Sequence, residues 1–75
     1  MNESDEYYEQ IESLLWQAAD TVQECLSEEE YQLAIEFLEQ GEYGLASDEL
    51  HAVVMDKNME YPEALKSART IMGIG

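Results

Sequence analysis

The sequence predicts an all-α fold, a small compact bundle of about four antiparallel helices, and three observations lead there. Apolar residues recur at steps of three and four along four separate segments, the spacing that lines one face of a helix. Between the segments stand residues that start or stop helices: Ser27, Gly41, Asn58, Pro62 and Gly73. No strand pattern competes with them. An amphipathic helix cannot bury its stripe alone, so four of them on short connections must pack on one another. Residues 1–75 make one acidic helical domain. A chain of this length buries only about 60% of the surface it exposes when unfolded, so the core is thin.

In the first segment Tyr7, Ile11, Leu14, Leu15, Ala18, Val22 and Cys25 share a face, which predicts a helix near residues 5 to 25 with Cys25 in the core. Leu26-Ser27-Glu28-Glu29-Glu30-Tyr31 is the strongest local signal. Ser27 can cap the Glu30 amide while the Glu30 side chain reaches back, and Leu26 can staple to Tyr31. A second helix over residues 28–40 follows, with Tyr31, Ala34, Ile35, Phe37 and Leu38 inward, and it stops at Gly41, which readily takes the left-handed conformation.

Tyr43, Ala46, Leu50, Val53 and Val54 form the third stripe, closed by Lys57-Asn58. Its start is open between the Glu42-Tyr43 turn and a later cap at Ser47, in which case residues 42–46 are an ordered loop. Pro62 suits the first turn of the fourth helix, since its φ is fixed and its missing N–H is not needed there. Ala64, Leu65, Ala68, Ile71 and Met72 complete the last stripe before Gly73. The dipeptide Glu-Tyr recurs at 6–7, 30–31, 42–43 and 60–61, but at unequal intervals, so it marks no structural repeat.

Eighteen Asp and Glu against three Lys and Arg give a formal charge of −15. Charge this dense accompanies disorder when apolar residues are scarce, but here they are 45% of the chain and regularly spaced. Such a globule repels itself, phosphate backbones and anionic membranes, and attracts Lys/Arg-rich surfaces. The expected partner is a basic protein, with no direct binding of nucleic acid or membrane, and the protein alone is expected to be a monomer. Met1 to Glu6 carry no positive charge and no apolar run, and no stretch is long enough to span a membrane. With Cys25 alone and no internal disulfide possible, the expectation is a cytoplasmic protein.

Catalysis by paired carboxylates needs a pocket that raises one pKa beside an ionised partner. Glu28, Glu29 and Glu30 instead occupy a first helical turn, where they meet the positive end of the macrodipole, and a thin bundle offers no deep pocket. Asp48, Glu49 and His51 are a poor transition-metal set without a second His or Cys. Residues 56–67 have the outline of a calcium loop, but Tyr61 stands where Gly belongs and Ser67 where the bidentate Glu belongs. Gly41-Glu42-Tyr43-Gly44 is a turn, too short and too acidic to cradle phosphate. No enzymatic activity, metal or cofactor is expected.

What has a physical use is the pairing of carboxylates with tyrosines. Carboxylates take Arg in bidentate hydrogen bonds, and Tyr rings stack on guanidinium planes and anchor interfaces at low entropic cost. For Tyr31 and Tyr61 a structural role, as a staple and a core edge, weighs as much as binding. Tyr43, beside a turn between two acidic helices, is favoured for binding.

Along Leu26-Ser27-Glu28-Glu29-Glu30-Tyr31, and above all Ala34-Ile35-Glu36-Phe37-Leu38-Glu39-Gln40-Gly41-Glu42-Tyr43-Gly44-Leu45-Ala46, the chain resembles the MafI-type immunity proteins of bacterial polymorphic-toxin and contact-dependent growth inhibition systems. The resemblance reaches Ile71-Met72-Gly73, so it covers residues 26 to 73, and helix 1 does not contribute to it. Family members often have a more apolar stretch where this chain has Ser47-Asp48-Glu49. The resemblance implies a cytoplasmic antitoxin that binds and neutralises a cognate toxin domain, often a nuclease, whose basic groove suits an acidic binder. The expected partner-binding residues are Glu39, Glu42, Tyr43, Asp48 and Glu49 at one end of the bundle, with Asp56 and Glu60 at the other. A competing reading is an acidic nucleic-acid mimic of phage or plasmid origin that inhibits a defence-related DNA-binding protein. A mimic needs carboxylates spread along a long face and few anchors, whereas an immunity protein needs an anchor within a complementary patch.

Overall fold

A computed structural model describes residues 3–74, and side chains from Glu6 onward. Met1 and Asn2, part of the stretch read as having no leader character, lie outside the described residues. The chain runs through α1 (Glu3–Val22), a 3-10 turn (Gln23–Cys25), α2 (Glu28–Glu39), α3 (Tyr43–Asp56) and α4 (Glu63–Met72), with no strand among the described residues. Its extents of 38 × 21 × 16 Å are those of one short bundle.

The helices run up, down, up, down. Tyr7 at the start of α1 reaches the carbonyl of Ile71 at the end of α4, and Thr21 near the end of α1 lies against Glu60–Glu63. Lys57, just past α3, pairs with Glu30 in the first turn of α2. Ile11, Leu15, Ala18, Ala19 and Val22 of α1, Ala34 and Leu38 of α2, Ala46, Leu50 and Val54 of α3, and Leu65 and Ala68 of α4 form a single buried cluster. Each buried large aliphatic contributes roughly 1.5–3 kcal/mol. Five of the twelve cluster residues are alanine, which lets the helices approach closely and keeps the core small.

Three helices end in the same way, and those ends position the surface described below. The Glu42 amide donates to the Phe37 carbonyl (2.8 Å) and the Gly41 amide to that of Leu38 (3.1 Å), with Gly41 at φ +75°. This is a Schellman motif. The same pair of bonds closes α3 around Asn58 (φ +53°) and α4 around Gly73 (φ +77°). The Ser27 capping box is complete: the Glu30 amide donates to Ser27 Oγ (3.1 Å) and the Ser27 amide to Glu30 Oε1 (2.8 Å). Leu26 and Tyr31 both pack against the core.

Several expectations are corrected. Cys25 is exposed, not in the core. The backbone tightens to 3-10 geometry after Val22 and leaves the α-helical stripe, and Leu26 packs on the core in its place. Tyr7, expected inward, is partly exposed at the bundle end, where it lies beside the end of α4 and not in the core. Helix 3 starts at Tyr43, and Ser47 is no cap: it is fully buried inside the helix, its Oγ donating to the Gly44 carbonyl at 3.0 Å. The hydroxyl thus satisfies itself on the preceding turn and leaves the helix intact. Pro62 caps α4 from outside the first turn, extended at φ −63° and ψ 132°, and is buried.

Candidate functional site

The end of the bundle that holds the start of α1, the Gly41 turn and the end of α4 carries a groove of about 350 Å³. Tyr7, Tyr8 and Ile11 of α1, the Gly41–Gly44 segment, Met72 and Ile74 line it. Tyr8 is 52% exposed, and Tyr7 and Ile74 are also exposed. The left-handed residues Gly41 and Gly73 turn the chain back, so that Glu42-Tyr43 and Ile74 come to rest beside the first turns of α1.

Three tyrosines form its wall. The Tyr7 and Tyr8 rings meet edge to face at 5.2 Å, and the Tyr8 and Tyr43 rings lie 6.0 Å apart with a tilt of 34°. Tyr43 is half-buried, and its hydroxyl donates to Glu12 Oε2 at 3.3 Å. Burial, and then the Glu12 carboxylate, push the Tyr43 phenol above its usual 10.0. It therefore stays protonated and ties Glu12, which does not itself line the groove, to the ring that does. Glu12 retains a second carboxylate oxygen, and Glu42 on the turn is exposed. Aromatic faces beside carboxylates can receive a guanidinium or ammonium group by stacking and by charge-assisted hydrogen bonds.

The residues expected to bind a partner fall into five places. Glu42 and Tyr43 line the groove together. Glu39 is exposed on the last turn of α2 but does not line it. Asp48 and Glu49, consecutive on α3, point about 100° apart. Asp48 takes Arg69 Nη1 at 2.9 Å on the α4 side, while Glu49 and Asp56 share a shallow acidic depression with Glu30, Ala52 and Val53. Glu60 lies at the far end beside Thr21, Tyr61, Pro62 and Glu63. His51 Nδ1 lies 2.7 Å from the Tyr61 hydroxyl, so His51, Asp48 and Glu49 face different partners. The five residues assigned to one end are thus dispersed, and only Glu42 and Tyr43 remain as a unit.

Sequence reasoning missed Tyr7, Tyr8 and Glu12 as site residues, because helix 1 lay outside the resemblance. One signal was available: consecutive tyrosines on a helix point about 100° apart, so at most one of Tyr7 and Tyr8 could face the core squarely. Glu12 and Ile74 had no such signal, since their places depend on how α1, α3 and α4 pack. Among the described residues no helix is long and apolar enough to cross a membrane. No family model, curated protein or solved structure matches the chain.

Proposed function

We propose that this chain is an immunity protein that binds and neutralises a basic toxin domain, of nuclease type, with the aromatic groove as its anchor. The observation that carries the proposal is the junction of Tyr7, Tyr8 and Tyr43 with Glu12 and Glu42. It gathers on one surface the Glu42-Tyr43 turn, whose sequence resembles that of MafI-type immunity proteins, and three rings of the kind that dominate binding energy at interfaces. An Arg or Lys of the toxin lies against the Tyr8 or Tyr43 face and bonds to Glu12 or Glu42. The charge of −15 accelerates encounter with a basic surface without fixing the docked pose. The protein acts by occupancy, and no covalent bond is made or broken.

Purification with the product of the adjacent open reading frame tests this. A stable complex is expected with a basic partner whose association rate falls steeply from low to physiological salt, while the dissociation rate changes less. No complex, an acidic partner, or an association rate indifferent to salt overturns the proposal. A complex that survives alanine at all three groove tyrosines and is lost only on raising salt favours the nucleic-acid mimic, since a mimic binds through distributed charge.

A further inference from the structure

A second cavity, of about 340 Å³, is lined by His51 of α3, Tyr61, and Lys66, Arg69 and Thr70 of α4. The chain has three Lys and Arg in all and one His, so two of its three cations and its only imidazole meet in one place. No carboxylate lines this cavity. Lys57, the remaining cation, pairs with Glu30.

Lys66 is exposed and makes no ion pair among the described residues. Glu63, one turn earlier, shares a neighbouring depression with it but does not pair with it. Eighteen acids for three cations give every lysine an abundance of counter-ions, so an unpaired one beside an arginine needs a cause. Arg69 is held rigidly, its side chain only 13% exposed. Its Nη1 donates to Ser47 Oγ (3.2 Å) and Asp48 Oδ1 (2.9 Å), and its Nη2 to the Ile74 carbonyl (3.2 Å). Three of the five guanidinium donors are so used and two are left.

The His51–Tyr61 pair adds another donor in either tautomer. If Tyr61 donates to Nδ1, the imidazole proton is on Nε2. If Nδ1 donates to the phenol, the Tyr61 O–H is left to give. Thr70 completes the lining.

We propose that this cavity is an oxyanion site, which takes a phosphate or carboxylate group against Lys66, Arg69 and the His51–Tyr61 pair. The net charge of the protein opposes entry at long range, but at physiological ionic strength charges beyond about 8 Å are largely screened. The near groups decide: Lys66 and the Arg69 donors left beyond the Asp48 pair, against the carboxylates of Glu63, one turn before Lys66, and of Glu60, next to Tyr61. Binding is weak and sensitive to salt.

The test is a titration of the isotope-labelled protein with inorganic phosphate, at ionic strength held constant with chloride, following the His51, Tyr61 and Thr70 resonances by NMR. A parallel arm uses acetate. Saturable shifts are expected with phosphate. Lys66→Gln should weaken binding about tenfold, the usual loss on removing one hydrogen bond to a charged group, with an unchanged melting temperature, and Lys66→Arg should restore it. Saturation by phosphate alone assigns the site to phosphate groups, and saturation by acetate as well assigns it to carboxylates, including one presented by a protein. Shifts that rise without saturating in both arms, or an affinity unaltered by Lys66→Gln, overturn the proposal. The toxin-binding proposal is not at stake here, since no tyrosine of the aromatic groove takes part.

Discussion

The two ends of the bundle use the same kinds of residue to opposite effect. At the end holding the Ser27 cap, polar groups are directed at the chain itself: Ser27 and Glu30 close α2, Lys57 pairs with Glu30, Asn58 turns α3, and Pro62 is buried. At the other end, Gly41 and Gly73 turn the chain just as tightly, but Tyr7, Tyr8 and Ile74 remain exposed. Backbone economy is equal at the two ends; Met55 is exposed at the Ser27 end too, but the exposed aromatic rings Tyr7 and Tyr8 are gathered at the other. A thin core has little surplus stability, so large aromatic surface left open at one end points to a use outside the chain.

The largest expected effect separates the ends by binding. Tyr43→Ala should weaken the proposed toxin complex by about 2 kcal/mol or more, roughly thirtyfold, against about 1 kcal/mol or less for Glu39→Ala or Asp48→Ala. Tyr43 also touches the core, so its removal lowers stability too. Tyr8→Ala is the cleaner variant, since that ring is more than half exposed: affinity should drop while the melting temperature holds. If Tyr43→Ala melts early yet binds normally, and Tyr8→Ala and Glu42→Lys also bind normally, the groove only closes the core.

A smaller effect is expected at the closed end, and on stability alone. Ser27→Ala should cost about 1 kcal/mol, a fall in melting temperature of roughly 4–8 °C for a domain this small, with toxin affinity of the folded protein unchanged. A loss of affinity there would mean that the two ends are not functionally distinct.

The smallest effect is a dependence on pH at the same cap. The Ser27 amide, and then Lys57, hold the Glu30 carboxyl below its ordinary 4.5. A carboxyl whose pKa is lowered by folding stabilises the fold above its unfolded value, and that contribution is lost as pH falls through the folded value. The stability gap between wild type and Glu30→Gln should therefore be present at neutral pH and close on acidification below about 4.5. Denaturant melts of the pair across that range would show it, and a gap that stays constant would remove the charged cap from the account.

The sequence by itself determined the four helices, the Ser27 box and the left-handed ends at Gly41, Asn58 and Gly73. All of these are set by contacts within a few residues, and the side chain at each position dictates its own backbone geometry. Period alone also named most of the buried face, from Ile11 to Met72. It misled at Cys25, where the helix changed pitch, and at Tyr7, which stays partly exposed at the end of the bundle, while the start of helix 3, open between the Glu42-Tyr43 turn and Ser47, falls at Tyr43. Tertiary structure alone decided that Glu12 meets Tyr43, that Arg69 meets Asp48 and Ser47, that Glu49 and Asp48 serve different faces, and that Lys66 joins Arg69 beside His51. Those meetings depend on the rotation of each helix about its axis, and rotation is fixed by the fit of Leu15, Leu38, Leu50, Leu65 and the alanines between them, a property of the packed core that no single segment carries.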